Sequence, residues 1–193
     1  MHTRRMATFV LGVWIGCSVL MGFIAIQNLR MPAGIAGAPS AGALPLLQKL
    51  TPEESQLLLR YQSSEQNRRY LYIWETAEIG LGLALAACLF FGTQRRLFPQ
   101  ILGALMLMLV LFEHFALTPE MTYRGREADF PPGNSSFGIQ ARIWALNEAY
   151  VASEGAKLVL GGILTSYLFV FRARRRARRA EGAGEPDPTH VES

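Results

Sequence analysis

Apolar residues run almost without interruption from Met6 to Leu29, from Leu71 to Gly92, from Leu97 to Leu117 and from Val151 to Phe171, with polar stretches between them. Each run is close to the roughly 20 residues that a helix needs to cross a bilayer core about 30 Å thick. The pattern predicts an all-α fold, a four-transmembrane-helix bundle with spans 6–29, 71–92, 97–117 and 151–171. Helices satisfy their own backbone hydrogen bonds, as lipid requires. The first run exceeds the roughly 7 to 15 apolar residues of a signal peptide. It is expected to remain as a span, although Ala36-Gly37-Ala38 has the small residues of a cleavage site.

The polar stretches predict helical extensions of spans two and four. Thr51-Pro52-Glu53-Glu54 offers a hydroxyl N-cap, a proline at the first helical position and a glutamate three residues after the cap, the makings of a capping box. No breaker follows until Gly80 and Gly82, so one rod is expected from Pro52 into span two. Phe137 to Val151 leads in the same way into span four. Tyr70, Tyr72 and Trp74 supply an interfacial aromatic belt, and the small residues Gly80, Gly82, Ala84, Ala86 and Ala87 permit close helix approach. Met31 to Ala43, rich in Pro, Gly, Ala and Ser, reads as a flexible connection. Span three is expected to stop at Thr118-Pro119, with a charged loop from Tyr123 to Ser136. Residues 181–193 read as a disordered tail.

Charge changes this picture through its placement. The formal net charge is +4, and the basic residues cluster at Arg4-Arg5, at Arg95-Arg96 and between Arg172 and Arg179. For a four-span chain these all fall on one side, which the positive-inside rule makes cytoplasmic. The expectation is a multi-pass protein of a bacterial-type inner (plasma) membrane, with cytoplasmic N- and C-termini. Its partner is the lipid bilayer and not nucleic acid. Cys17 and Cys88, far apart and outside any Cys-x-x-Cys pattern, point to no disulfide or c-type haem.

The candidate chemistry lies where charge enters the apolar runs. Glu75 and Glu78 on span two, Glu113 and His114 on span three, and Glu154 and Lys157 on span four all fall roughly 6 to 10 Å outside the midplane at about 1.5 Å rise per residue. Glu75 and Glu78 are three apart, as are Glu154 and Lys157, so each pair shares a helix face. A lipid-facing charge costs about 2.5–3.5 kcal/mol on insertion scales, so these faces should meet inside the bundle. Four carboxylates against the Lys157 ammonium leave a surplus of about three negative charges in low dielectric. Protonation, arginines such as Arg124 or Arg142 reaching inward, water, or a bound cation would balance it.

Three readings stay open. The charges form a network that fixes helix register; or Glu75, Glu78, Glu113, His114 and Glu154, with Lys157 as a charge partner, bind or conduct a cation or protons, with a divalent metal as the one cofactor such donors would fit; or they pack against a larger membrane complex or a second copy, the chain being a non-catalytic accessory subunit. There is no Glu-x-x-His pair for a di-iron centre, no second histidine within a span for bis-His haem, and no nucleotide or hydrolase motif. A non-enzymatic role is expected.

Leu117-Thr118-Pro119-Glu120-Met121 closing span three, Arg124 after it, and Phe137 with Trp144-Ala145-Leu146-Asn147 before the last span carry a resemblance. The layout resembles a family of small four-span membrane proteins of unknown function, which includes a eukaryotic transmembrane protein linked to platinum-drug tolerance. That family tends to have Leu-His where Leu146-Asn147 stands, so no ligand role passes to Asn147. The resemblance implies the four-span architecture and no particular activity.

Overall fold

The capping signal at Thr51 is formed as read. In the computed structural model, which describes residues 2–37, 49–92, 97–129 and 136–182, the Glu54 N–H donates to Thr51 Oγ1 at 3.2 Å and the Thr51 N–H to Glu54 Oε2 at 2.9 Å. The helix so started runs unbroken as Pro52–Gly92. The chain folds as α1 (His2–Gly37), α2 (Pro52–Gly92), α3 (Leu97–Phe112), a π-helical turn (Glu113–Leu117), α4 (Thr118–Asp129) and α5 (Ser136–Gly182). The described residues are all-helical, without strands.

Three helical stretches, Arg5–Asn28, Pro52–Gly92 and Leu97–Asp129, are long and apolar enough to cross a membrane. The expected fourth span, 151–171, lies within α5. Over its described residues this helix does not reach the apolar content of the other three, with Glu154 and Lys157 in its apolar half.

α1 packs chiefly along α2, α2 along α3, and α5 closes against α1, α3 and α4. The core consists of Leu11 and Trp14 from α1, Leu85 and Leu89 from α2, Met106 and Val110 from α3, and Leu164 from α5. Outside it, Phe9, Phe23, Phe90, Phe91, Met108 and Phe115 point outward. Aqueous surfaces rarely carry contiguous apolar patches of this kind, whereas lipid contact calls for them. Helices approach closely at Gly82, where a Cβ would stand 2.7 Å from Leu107 Cδ1 and 3.3 Å from Trp14 Cη2, and at Gly103, where it would stand 2.7 Å from Leu89 Cδ1. Gly80 faces open space instead.

Two breakers do not break helices. α1 continues to Gly37 through Pro32, so the first seven residues of the expected flexible connection are helical, roughly two turns, and its remainder lies outside the described residues. Pro32 has no N–H to give the Asn28 carbonyl four residues back; the Ser63 hydroxyl of α2 donates to that carbonyl instead. Likewise Thr118-Pro119 does not end the third helix, and Tyr123 to Asp129 is helical and not a loop. The Thr118 N–H reaches back to Glu113 O across a widened turn, which puts Pro119 in the first turn of α4, where its missing N–H is tolerated. In the polar first half of α2, Leu57 and Leu58 are exposed while Leu59 and Tyr61 are half-buried. Residues 93–96, residues 130–135 of the expected loop and residues 183–193 of the expected tail lie outside the described residues, while Glu181 and Gly182 belong to α5.

Candidate functional site

Because α2 is a single rod, Glu75 and Glu78 share a face aimed at the bundle interior, and both are fully buried. They go to different partners. Glu78 meets Lys157 of α5, whose ammonium donates to Glu78 Oε2 at 2.7 Å, to Glu113 Oε2 at 2.5 Å and to Glu154 Oε1 at 3.0 Å. An ammonium has three N–H donors, so all of Lys157's are used. Trp14 completes the other side of Glu78, its indole N–H donating to Oε1 at 2.7 Å. Tyr150, one turn before Glu154, donates to Glu154 Oε1 at 3.3 Å.

Glu75 forms a second centre with the π-turn and the start of α4. The Thr118 hydroxyl donates to Glu75 Oε1, and His114 Nδ1 lies 3.1 Å from Oε2. A carboxylate at Nδ1 calls for the proton on that nitrogen. The imidazole lies against Tyr72, ring centres 5.2 Å apart, and meets Phe115 edge-on at 4.9 Å. π-Turns concentrate at functional sites, and this one contains both Glu113 and His114.

The structure therefore brings together all six residues singled out from the sequence, as two adjoining centres: Lys157 with Glu78, Glu113 and Glu154, and Glu75 with His114. Arg124 and Arg142 do not reach them. Arg124 pairs with Glu120 and Glu127, and Arg142 stands 3.9 Å from Glu120. Asn147 is exposed. Trp14, Thr118 and Tyr150 escaped sequence reasoning. Trp14 had a usable signal: a tryptophan within a span, away from its ends, needs a partner for its N–H.

The cluster is incompletely satisfied. Glu113 Oε1 is buried without a hydrogen-bond partner, and so is Ser153 Oγ. The two side chains are neighbours, yet their geometry falls short of a hydrogen bond. Oxygens of Glu78, Glu113 and Glu154 lie within 4.8 Å of one another, a separation that suits a metal ion. A divalent ion holding these oxygens at about 2.0–2.6 Å would stand where the Lys157 ammonium stands. The donors fit a metal only with that ammonium displaced or neutral.

Beyond these centres, α2 and α4 are clamped by ion pairs. Arg68 bridges Glu65 and Asp129 at 2.7 and 2.6 Å, and Arg126 reaches Glu65 at 2.5 Å. Hydrogen bonds from Arg126 and then Arg68 hold the Glu65 carboxyl below the usual carboxylate range. An open cleft of about 1030 Å³ lies beside this clamp, with His114 and Thr118 in its wall.

Fold and site together define an all-helical protein with membrane-length apolar helices and two buried ionisable centres. No family model matches the chain, no curated protein resembles it, and no solved structure matches its fold.

Proposed function

We infer that the chain is an integral membrane protein with four spans, its two termini on the cytoplasmic side of a bacterial-type inner membrane, and that its Glu/His/Lys cluster binds and exchanges protons. One observation carries the reading: Glu78, Glu113 and Glu154 share the Lys157 ammonium, the buried Glu75 has no ammonium of its own among the described residues, and Glu113 Oε1 has no hydrogen-bond donor. In low dielectric an unbalanced buried charge is expensive. A proton on Glu113 offsets one of the surplus negative charges and gives the unpartnered Oε1 a hydrogen to share on the side of its neighbour Ser153. The similarity of Leu117-Thr118-Pro119 and Trp144-Ala145-Leu146 to the small four-span family agrees with this architecture.

Infrared titration of the full chain in lipid nanodiscs tests the reading. A protonated-carboxyl band is expected that disappears in Glu113→Gln and shifts in Glu78→Gln. No carboxyl band changing between mildly acidic and mildly basic pH overturns it. The closeness of the three carboxylates, whose oxygens lie within 4.8 Å of one another, favours a second reading, a divalent cation in place of the ammonium. Stoichiometric metal in purified wild-type protein, lost in Glu78→Gln, would establish that one. Co-purification of a fixed partner with unperturbed carboxyl bands would point to an accessory subunit instead.

A further inference from the structure

His114 and Thr118 belong to two places at once. Both line the open cleft between α2 and α4, and both hydrogen-bond Glu75, whose side chain has no exposure of its own. The His114 side chain keeps 14% of its surface exposed. With Nδ1 on Glu75, the nitrogen left for water in the cleft is Nε2. Tyr72 and Phe115 hold the ring in that orientation.

The geometry points to His114 as the residue through which protons from the cleft reach Glu75, the outer member of the buried cluster. The inference rests on the proton-binding reading and names the route of access to that site. In the step, Nε2 takes a proton from water in the cleft and the Nδ1–H proton passes to Glu75 Oε2. The carboxylate becomes a carboxylic acid and the imidazole ends neutral with its proton on Nε2. Reversal through the same two nitrogens returns the proton, so atoms and charge balance. Thr118 is a positioning residue here: by occupying Oε1 it leaves Oε2 for His114.

The charged and titratable groups around this pair are accounted for on each packed element. α2 presents Glu75 and Tyr72, with Glu65, Arg68 and Arg69 in the cleft; α4 presents Tyr123, Arg126 and Glu127 in the cleft. The π-turn itself carries Glu113, which turns to Lys157, and α5 presents Lys157, Glu154 and Tyr150, of which Lys157 and Tyr150 also act on Glu75 through their charges. The described contacts place the imidazole between the wet cleft and Glu75.

The test is a flash-induced pH jump on the full chain in nanodiscs, followed by time-resolved infrared spectroscopy, with the Glu75 band assigned through Glu75→Gln. His114→Ala is expected to slow protonation of Glu75 at least tenfold with its final extent retained, and imidazole added to the buffer should restore the rate. His114→Gln, which keeps a polar group beside Glu75 but cannot relay a proton, should be equally slow and covers the case in which the alanine variant does not fold. An unchanged rate in either folded variant overturns the inference. That result differs from failure of the underlying reading, in which the Glu78 and Glu113 bands of the wild type would not titrate at all.

Discussion

Replacing Lys157 by methionine removes one ammonium from three carboxylates while nearly keeping side-chain volume. At an effective dielectric of about 20, each ammonium–carboxylate contact near 2.7 Å represents roughly 6 kcal/mol of Coulomb attraction, and each pair of carboxylate charges 4.8 Å apart roughly 3.5 kcal/mol of repulsion. The attractive contacts are those at 2.7, 2.5 and 3.0 Å. Without Lys157 only repulsion and desolvation remain, until the carboxyls take up protons from the medium. Breaking a buried pair on one side typically costs about 3–5 kcal/mol, and that is the loss expected for Lys157→Met at neutral pH. The assay is unfolding from mild detergent by increasing mole fraction of sodium dodecyl sulfate, followed by circular dichroism. Adding Glu78→Gln to Lys157→Met should recover at least about 1 kcal/mol, because removing the second partner relieves the stranded charge. A single-variant loss below about 1 kcal/mol, or strictly additive losses in the double variant, would refute the reasoning.

Two further outcomes follow from other contacts. Trp14→Phe deletes the donor to Glu78 Oε1, and should lower stability by about 1.5–3 kcal/mol, the usual worth of a hydrogen bond to a charged group; in a Glu78→Gln background the effect should shrink, and equal losses in both backgrounds would dismiss the Trp14–Glu78 contact. At the α2–α4 clamp, the Glu65 carboxyl is lowered from its ordinary 4.5 by Arg126 and Arg68. Its stabilisation is therefore present above that value and lost as pH falls through the lowered folded one. The pair is partly exposed, so Glu65→Gln should cost no more than about 1 kcal/mol at neutral pH and less in high salt. A penalty that grows on acidification would contradict the sign.

What could be read from the sequence was local or periodic. Thr51 and Glu54 form their box because everything it needs lies within four residues, and the long rod of α2 follows from the lack of any breaker before Gly80. The six ionisable residues stood out because charge in an apolar run must turn inward. What could not be read depended on partners distant in the chain. Helix through Pro32 survives with Ser63, thirty-one residues on, serving the stranded Asn28 carbonyl. Helix through Pro119 depends on a π-turn, a change of hydrogen-bond register that no residue type announces. Which carboxylate meets which base is set by rotation of packed helices about their axes. Spacing placed Glu75 and Glu78 on one face, but only packing sends one to an imidazole and the other to an ammonium.

That division has a chemical consequence. Residues three apart on a helix differ by about 60° in direction and 4.5 Å in height, enough for Glu75 and Glu78 to face different neighbours without leaving the interior. Glu78 is held by an ammonium whose three donors are all engaged and by the Trp14 indole, a set of contacts that favours one fixed arrangement. Glu75 is held by a threonine hydroxyl and by an imidazole whose second nitrogen is left for the cleft. The π-turn joins the two, since Glu113 and His114 are consecutive residues and point one to each centre. The two centres are thus tied through adjacent residues of one turn. On the proposed reading, a proton-exchanging centre needs one group that meets water and another that does not, and His114, partly exposed to the cleft, beside the fully buried Glu75 has that arrangement.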